Sequence, residues 1–297
     1  MAEATPTQRV SPVVFPNAWE LPGRPEEANP VALDAFRQTE FQLRADLRLL
    51  HEGMNLILRV VADSYPSKFR TYRAAAVQLF WSRLFHYLSD AALLVTRGSY
   101  AGVPPLLRAA CECHSAAVQL GGLGGDELFE FELFLARSLK PHEALHATEV
   151  GRGSYHAGGT LASDEALGRV YRASTELARP HFGATLIEVA PESNQQKLAV
   201  LFGDQAFHFG WAQLELGWLI ALCGVVLRAA RGFAEAGVLG ASDETLAATA
   251  AFLDRAEKAL AAPDRCRVEE IEEEFEPRFL VSHFRRQSGG APRRLLL

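Results

Sequence analysis

From Leu216 to Leu227 no residue is charged, and with Glu215 tolerated the apolar character runs back to about Phe207. A run of this kind has to be enclosed. A membrane-spanning helix needs about 20 predominantly apolar residues, whereas a helix that is hydrophobic all round in a soluble protein lies at the centre of a bundle. Glu215, Gln213 and His208 within the run favour the second reading, a buried core helix. The rest of the chain must then supply amphipathic helices to surround it, and 48% apolar content over 297 residues is ample for such a core.

The remaining pattern meets that demand. Between Leu33 and Asp63, apolar residues recur at three and four (Phe36, Leu43, Leu47, Leu50, Met54, Leu58) until Pro66. A second helix is predicted from about Phe69 to Arg97, stopped by Gly98. A third starts at Pro104 and Pro105, where proline is tolerated, and ends before Gly121 and Gly122. Further helices are predicted at about 126–139 and 141–150, then from an N-cap at Ser163 to Arg179, from Asp204 to Arg231 and from Asp243 to Ala261, with Gly151 to Gly159 a loop. No alternation of apolar and polar residues predicts a strand, and no repeat is visible. The expected fold is all-α, a bundle of about seven helices over residues 31–263. It follows a disordered, extended arm at 1–30 that is rich in proline (Pro6, Pro12, Pro16, Pro22, Pro25, Pro30). Residues 264–297 run acidic and then basic, as a solvated or self-interacting tail does.

The net charge of −6 argues against a dedicated nucleic-acid binder, though a local basic patch remains compatible with it. Cys111, Cys113, Cys223 and Cys266 show no paired spacing, which fits a reducing cytosol. Met1 to Arg9 lacks the basic and apolar regions of a signal peptide, so a cytoplasmic location is expected.

Two short segments carry a resemblance. Gly98-Ser99-Tyr100-Ala101-Gly102-Val103-Pro104-Pro105-Leu106-Leu107-Arg108-Ala109-Ala110-Cys111-Glu112 places a Gly-aromatic turn before a helix with Arg and Glu four residues apart. Tyr171 to His181 carries Tyr, Ser and a Pro-His pair. Over roughly residues 65–230 the chain resembles a helical bacterial family of unknown function related to the HEPN superfamily, some of whose members are metal-independent RNases. The resemblance implies a binding or defence-related role, RNA or a protein as partner, and a homodimer. HEPN RNases carry Arg, four to six residues, then His; Arg108 and His114 match that count, with Glu112 between them. In that chemistry a cation holds the scissile phosphate and an imidazole moves the proton of the attacking hydroxyl. Six residues at 100° put Arg108 and His114 about 120° apart on a helix, so they meet only across a dimer or at a distortion. The structural reading of the same residues is an i,i+4 ion pair between Arg108 and Glu112.

His142-Glu143-Ala144-Leu145-His146 matches the zinc-peptidase motif His-Glu-x-x-His. On a helix His142 and His146 share a face and grip one zinc ion, while Glu143 polarises the metal-bound water. Glu165 follows at the spacing of the third ligand in gluzincin-type peptidases. A metal site of another kind would be built from His142 and His146 with His156 or Glu165. The structural reading of Glu165 is a carboxylate complementing a helix dipole. Three functions stay open: an RNA-directed HEPN-like protein without a cofactor, a zinc-dependent hydrolase, and a non-catalytic bundle that binds a partner.

Overall fold

Asn29 opens the first helix by accepting a hydrogen bond from the Ala32 N–H (2.8 Å), and Pro30 presets its first turn. The computed structural model describes residues 14–64, 71–127, 158–180, 182–271 and 278–296. Helices α1 (Pro30–Gln42) and α2 (Arg44–Asp63) form where one helix is predicted. Leu43 leaves helical geometry between them (φ −116°, ψ 26°), four residues after the buried Thr39 hydroxyl bonds back to the Ala35 carbonyl (2.8 Å). Such back-bonding bends helices. Then come α3 (Tyr72–Thr96), a 3-10 turn (Tyr100–Gly102), α4 (Val103–Gly122), α5 (Gly158–Ser163), α6 (Glu165–Ala178), α7 (Phe182–Val189), α8 (Phe209–Glu235) and α9 (Asp243–Leu260). Asp164, not Ser163, caps α6 by accepting from the Leu167 N–H (2.9 Å), and Gly158 and Gly159, expected in a loop, begin α5. The predicted helices at 126–139 and 141–150 lie outside the described residues from 128 onward.

The architecture is mainly helical, as the periodicity requires, and α8 is its axis. Helices α2, α3, α4, α6 and α9 all pack against α8. In its most apolar 18-residue window, 89% of the residues are buried inside the protein. The uncharged run from Leu216 to Leu227 lies in this helix, and the bundle encloses it. Gly53 of α2 allows close approach: a Cβ there would lie 2.8 Å from both Cys223 of α8 and Phe252 of α9.

Residues 264–297 correct the expectation of a solvated tail. Strands β1 (Arg267–Ile271), β2 (Arg278–Phe284) and β3 (Arg293–Leu296) make an antiparallel meander that packs on α8. The pattern escaped notice because it changes phase. Phe279 and Val281 face inward, then an irregularity with His283 at φ +57° brings Ser282 and Phe284 inward instead. A bulge of this kind re-aims the side chains beyond it. The charge blocks find partners: Arg172 grips Glu270 (2.6 Å), and Arg267 pairs with Glu269 (2.7 Å).

The junction between bundle and sheet rests on a buried ion pair. Arg265 meets Asp46 at 2.9 Å, with side chains only 6% and 11% exposed, and also donates to the Gln213 carbonyl (3.0 Å). Gly217 leaves room for the guanidinium, which lies 3.1 Å from where a Cβ would sit. Removing one partner strands the other charge in the core. Asp46→Ala is therefore expected to cost about 3–5 kcal/mol in denaturant unfolding, and Asp46→Leu/Arg265→Met to recover most of it. Equal losses in both would mean that the pair is not what holds this junction.

Candidate functional site

A helix buried along its length must have its first N–H groups satisfied inside the protein. At the start of α8 the meander provides this. Phe209 N–H donates to the Arg286 carbonyl (3.2 Å) and Gly210 N–H to the Arg285 carbonyl (2.8 Å). Position 210 has to be glycine, since a Cβ would lie 2.8 Å from the Phe284 ring and 3.0 Å from the Arg285 nitrogen. Trp211 N–H goes to Nδ1 of the capping His208 (3.3 Å). With Nδ1 accepting, the proton of the neutral ring sits on Nε2. Burial, followed by the nearby Arg286 charge, pushes the His208 pKa down to about 3. His208 is thus a neutral donor at ordinary pH.

Opposite this helix start stands the Gly-aromatic turn. Gly98 adopts φ +73°, and a Cβ there would fall 2.1 Å from the Gln205 carbonyl oxygen, so the turn and the strap over residues 203–208 lie backbone to backbone. Gln205 Nε2 donates to the Ser99 hydroxyl (2.9 Å), and His208 N–H to the Tyr100 hydroxyl (3.1 Å). Leu201 N–H bonds the Val189 carbonyl (2.7 Å), bringing the end of α7 alongside. Between turn, strap, α7 and the start of α8 is a cleft of about 370 Å³. Tyr100, Glu188, His208, Trp211 and Arg286 bring side-chain chemistry to its walls.

The charges in this cleft are unequally served. Arg286 donates to the Phe207 carbonyl and pairs with Glu192 (3.5 Å), which Arg293 also approaches (3.5 Å). Asp204 accepts from the Ala206 N–H (3.1 Å). Glu188 Oε1, in contrast, is buried with no hydrogen-bond partner among the described residues, and burial raises this carboxyl to about 7. Glu215 follows Trp211 by one turn of α8, on the face that carries His208 and Trp211. It is fully buried, neither carboxyl oxygen has a partner among the described residues, and desolvation, reinforced by Glu188, holds its pKa well above the ordinary carboxylate range. Burial likewise raises the Tyr100 phenol. Burial thus raises two carboxyls here, Glu188 on the cleft wall and Glu215 in the core, and the charge of Glu188 reaches Glu215.

The residues expected from sequence lie elsewhere. Arg108 and Glu112 form the i,i+4 pair (3.2 Å) on a half-exposed face of α4. His114 is fully buried on that helix, and desolvation lowers its pKa to about 4. The structure does not bring Arg108 and His114 together on one face. His142, Glu143, His146 and His156 lie outside the described residues. Glu165 is exposed in the first turn of α6, 3.7 Å from Arg169. Among the described residues no group of three or more His, Cys, Asp or Glu side chains is placed to hold a metal ion. Sequence reasoning missed Glu188, His208, Glu215 and Arg286 as site residues. One signal was available: Glu215 is the sole carboxylate between Asp204 and Glu235. Compared with protein-family models, curated proteins and solved structures, the chain matches none of them.

Glu215 makes a direct prediction. The folded protein keeps this carboxyl protonated where the unfolded chain, titrating near 4.5, has released its proton. Stability from this group is therefore lost as pH rises above about 4.5. Wild type and Glu215→Gln are expected to melt together near pH 4, with the variant becoming the more stable as pH rises above about 4.5. A gap independent of pH would show that Glu215 is not held neutral.

Proposed function

We propose that the protein binds a small molecule in the cleft between the Gly98–Gly102 turn, the end of α7 and the start of α8. The observation that carries this reading is Glu188: a carboxyl on the cleft wall whose buried oxygen lacks a hydrogen-bond partner among the described residues, in a cleft that Tyr100, Trp211 and the start of α8 also line. A volume of about 370 Å³ lies within the range of small-ligand sites, and a few polar groups among apolar walls is their usual composition. The perturbed proton affinity of Glu188 supports the same reading, since such groups concentrate where ligands are held or protons moved. The binding role suggested by the sequence is kept in this proposal and moved from Arg108 and His114 to the cleft.

The test fills the cleft without touching its charges. Ala206 lines it and is partly exposed, so Ala206→Trp should block it and leave the bundle folded. In a thermal-shift screen of small metabolite-like compounds, some are expected to raise the melting temperature of the wild type and not of Ala206→Trp. If every compound that stabilises the wild type stabilises the variant equally, the cleft is not the binding site.

A further inference from the structure

Resting on that reading, we infer that the ligand is a small organic cation, an amine or guanidinium on a short apolar or aromatic body, whose charge is taken by Glu188 with Tyr100 and Trp211 beside it.

Three features of the cleft lead there. Its own cation is already engaged: Arg286 is spent on Glu192 and the Phe207 carbonyl, so it leaves little attraction for an anionic ligand. Its unpartnered groups among the described residues are the Glu188 carboxyl oxygen and the Trp211 indole N–H, and the one of these that can carry charge is the acid, with a second acid, Glu215, fully buried in the core nearby. Two aromatic residues, Tyr100 and Trp211, line it together with Glu188, and Trp211 packs T-shaped with Phe284 (5.2 Å). Carboxylate and aromatic surface together recognise organic cations, by ion pairing and by attraction to the ring faces. An incoming ammonium supplies the counter-charge that Glu188 lacks, so Glu188 gives up its proton as the cation enters. The proton leaves to solvent and one N⁺–H···O⁻ contact forms. Glu215, fully buried and not part of the lining, stays protonated.

The other charged and titratable groups around α7 leave this balance in place. From the strap, His208 is neutral and Asp204 accepts from backbone. From the meander, Arg286 pairs with Glu192. From α6, Arg179 pairs with Glu176 (3.3 Å). Burial is the cause of the Glu188 shift.

The experiment uses three probes of one shape: phenethylamine, 2-phenylethanol and 3-phenylpropionate, titrated into the full chain by calorimetry from pH 5.5 to 8.5. Phenethylamine is expected to bind, with apparent affinity rising about tenfold per pH unit below 7 and levelling above it, because only the ionised Glu188 pairs with the ammonium. Glu188→Gln should lose that binding and its pH dependence, while keeping the wild-type circular dichroism and melting profile at pH 5, where Glu188 is neutral. The neutral or anionic probe binding better than the amine, with Ala206→Trp abolishing it, would overturn the cation assignment and leave the cleft as a ligand site. Amine binding that survives Ala206→Trp would overturn both. If none of the three probes binds the wild type, the cation assignment fails, and the compound screen decides the fate of the cleft reading separately.

Discussion

The structure depends on the burial of α8 over nearly all of its length from Phe209 to Leu227. A helix with one apolar face leaves its ends and its polar side chains to water, whereas one packed by five others has no water to spare for them. Polar groups on its buried stretch call for partners from elsewhere in the chain, which the Glu215 carboxyl and the Trp211 indole N–H do not have among the described residues. The answers come from far away in sequence: carbonyls of Arg285 and Arg286 for its first N–H groups, Arg265 for its Gln213 carbonyl, and Asp46 of α2 for that arginine in turn. The meander is thus not an appendage of the bundle. It closes the N-terminal end of the central helix.

The cleft arises from the same constraint. Closing a helix start with a strand end, a strap and a tight turn packs irregular backbone together, and irregular backbone fills space less completely than helix against helix. Gly98 and Gly210 mark the two places where these pieces come closest, both limited by backbone atoms that cannot give way. The space left over falls among the side chains least suited to a core, and Glu215 is the extreme case. Glu188 on the wall keeps one buried oxygen without a partner among the described residues, and Glu215, outside the lining, is tolerated only by holding its proton. A leucine there would serve packing better, which is why a carboxyl at this position reads as a requirement of the cleft and not of the fold.

What was legible in the sequence was local. Three-to-four spacing, prolines at helix starts and glycines at helix ends located α2, α3, α4, α8 and α9, and the Arg108–Glu112 pair followed from one turn of helix. Interactions that depend on two distant segments were not legible. The site draws on Tyr100, Glu188, His208, Glu215 and Arg286, which no spacing rule connects, and the strand β2 hid behind a phase shift at His283 that exists only once β3 pairs with it. Leu43 is intermediate: its place in the apolar period was readable, but the bend it marks depends on a hydroxyl four residues earlier turning back to backbone. Short apolar helices such as α7 escape for another reason, since eight residues hold too few turns for a period to show.

Two buried imidazoles and two buried carboxyls give this architecture opposing responses to pH. His114 and His208 resist protonation in the fold, with pKa values of about 4 and about 3, whereas the unfolded chain accepts those protons near 6.5. Stability from these groups is present above 6.5 and is lost as pH falls below it. Glu188 and Glu215 work in reverse. The fold holds their protons up to about 7 for Glu188 and higher for Glu215, while the unfolded chain releases both near 4.5, so their contribution is lost as pH rises above that value. Between about 4.5 and 6.5 the two effects oppose each other proton for proton. Above 6.5 only the carboxyls remain to titrate, and there the cost falls on the cleft. A partner for Glu188 would therefore stabilise the protein most at and above neutral pH, where the empty cleft is electrostatically least satisfied.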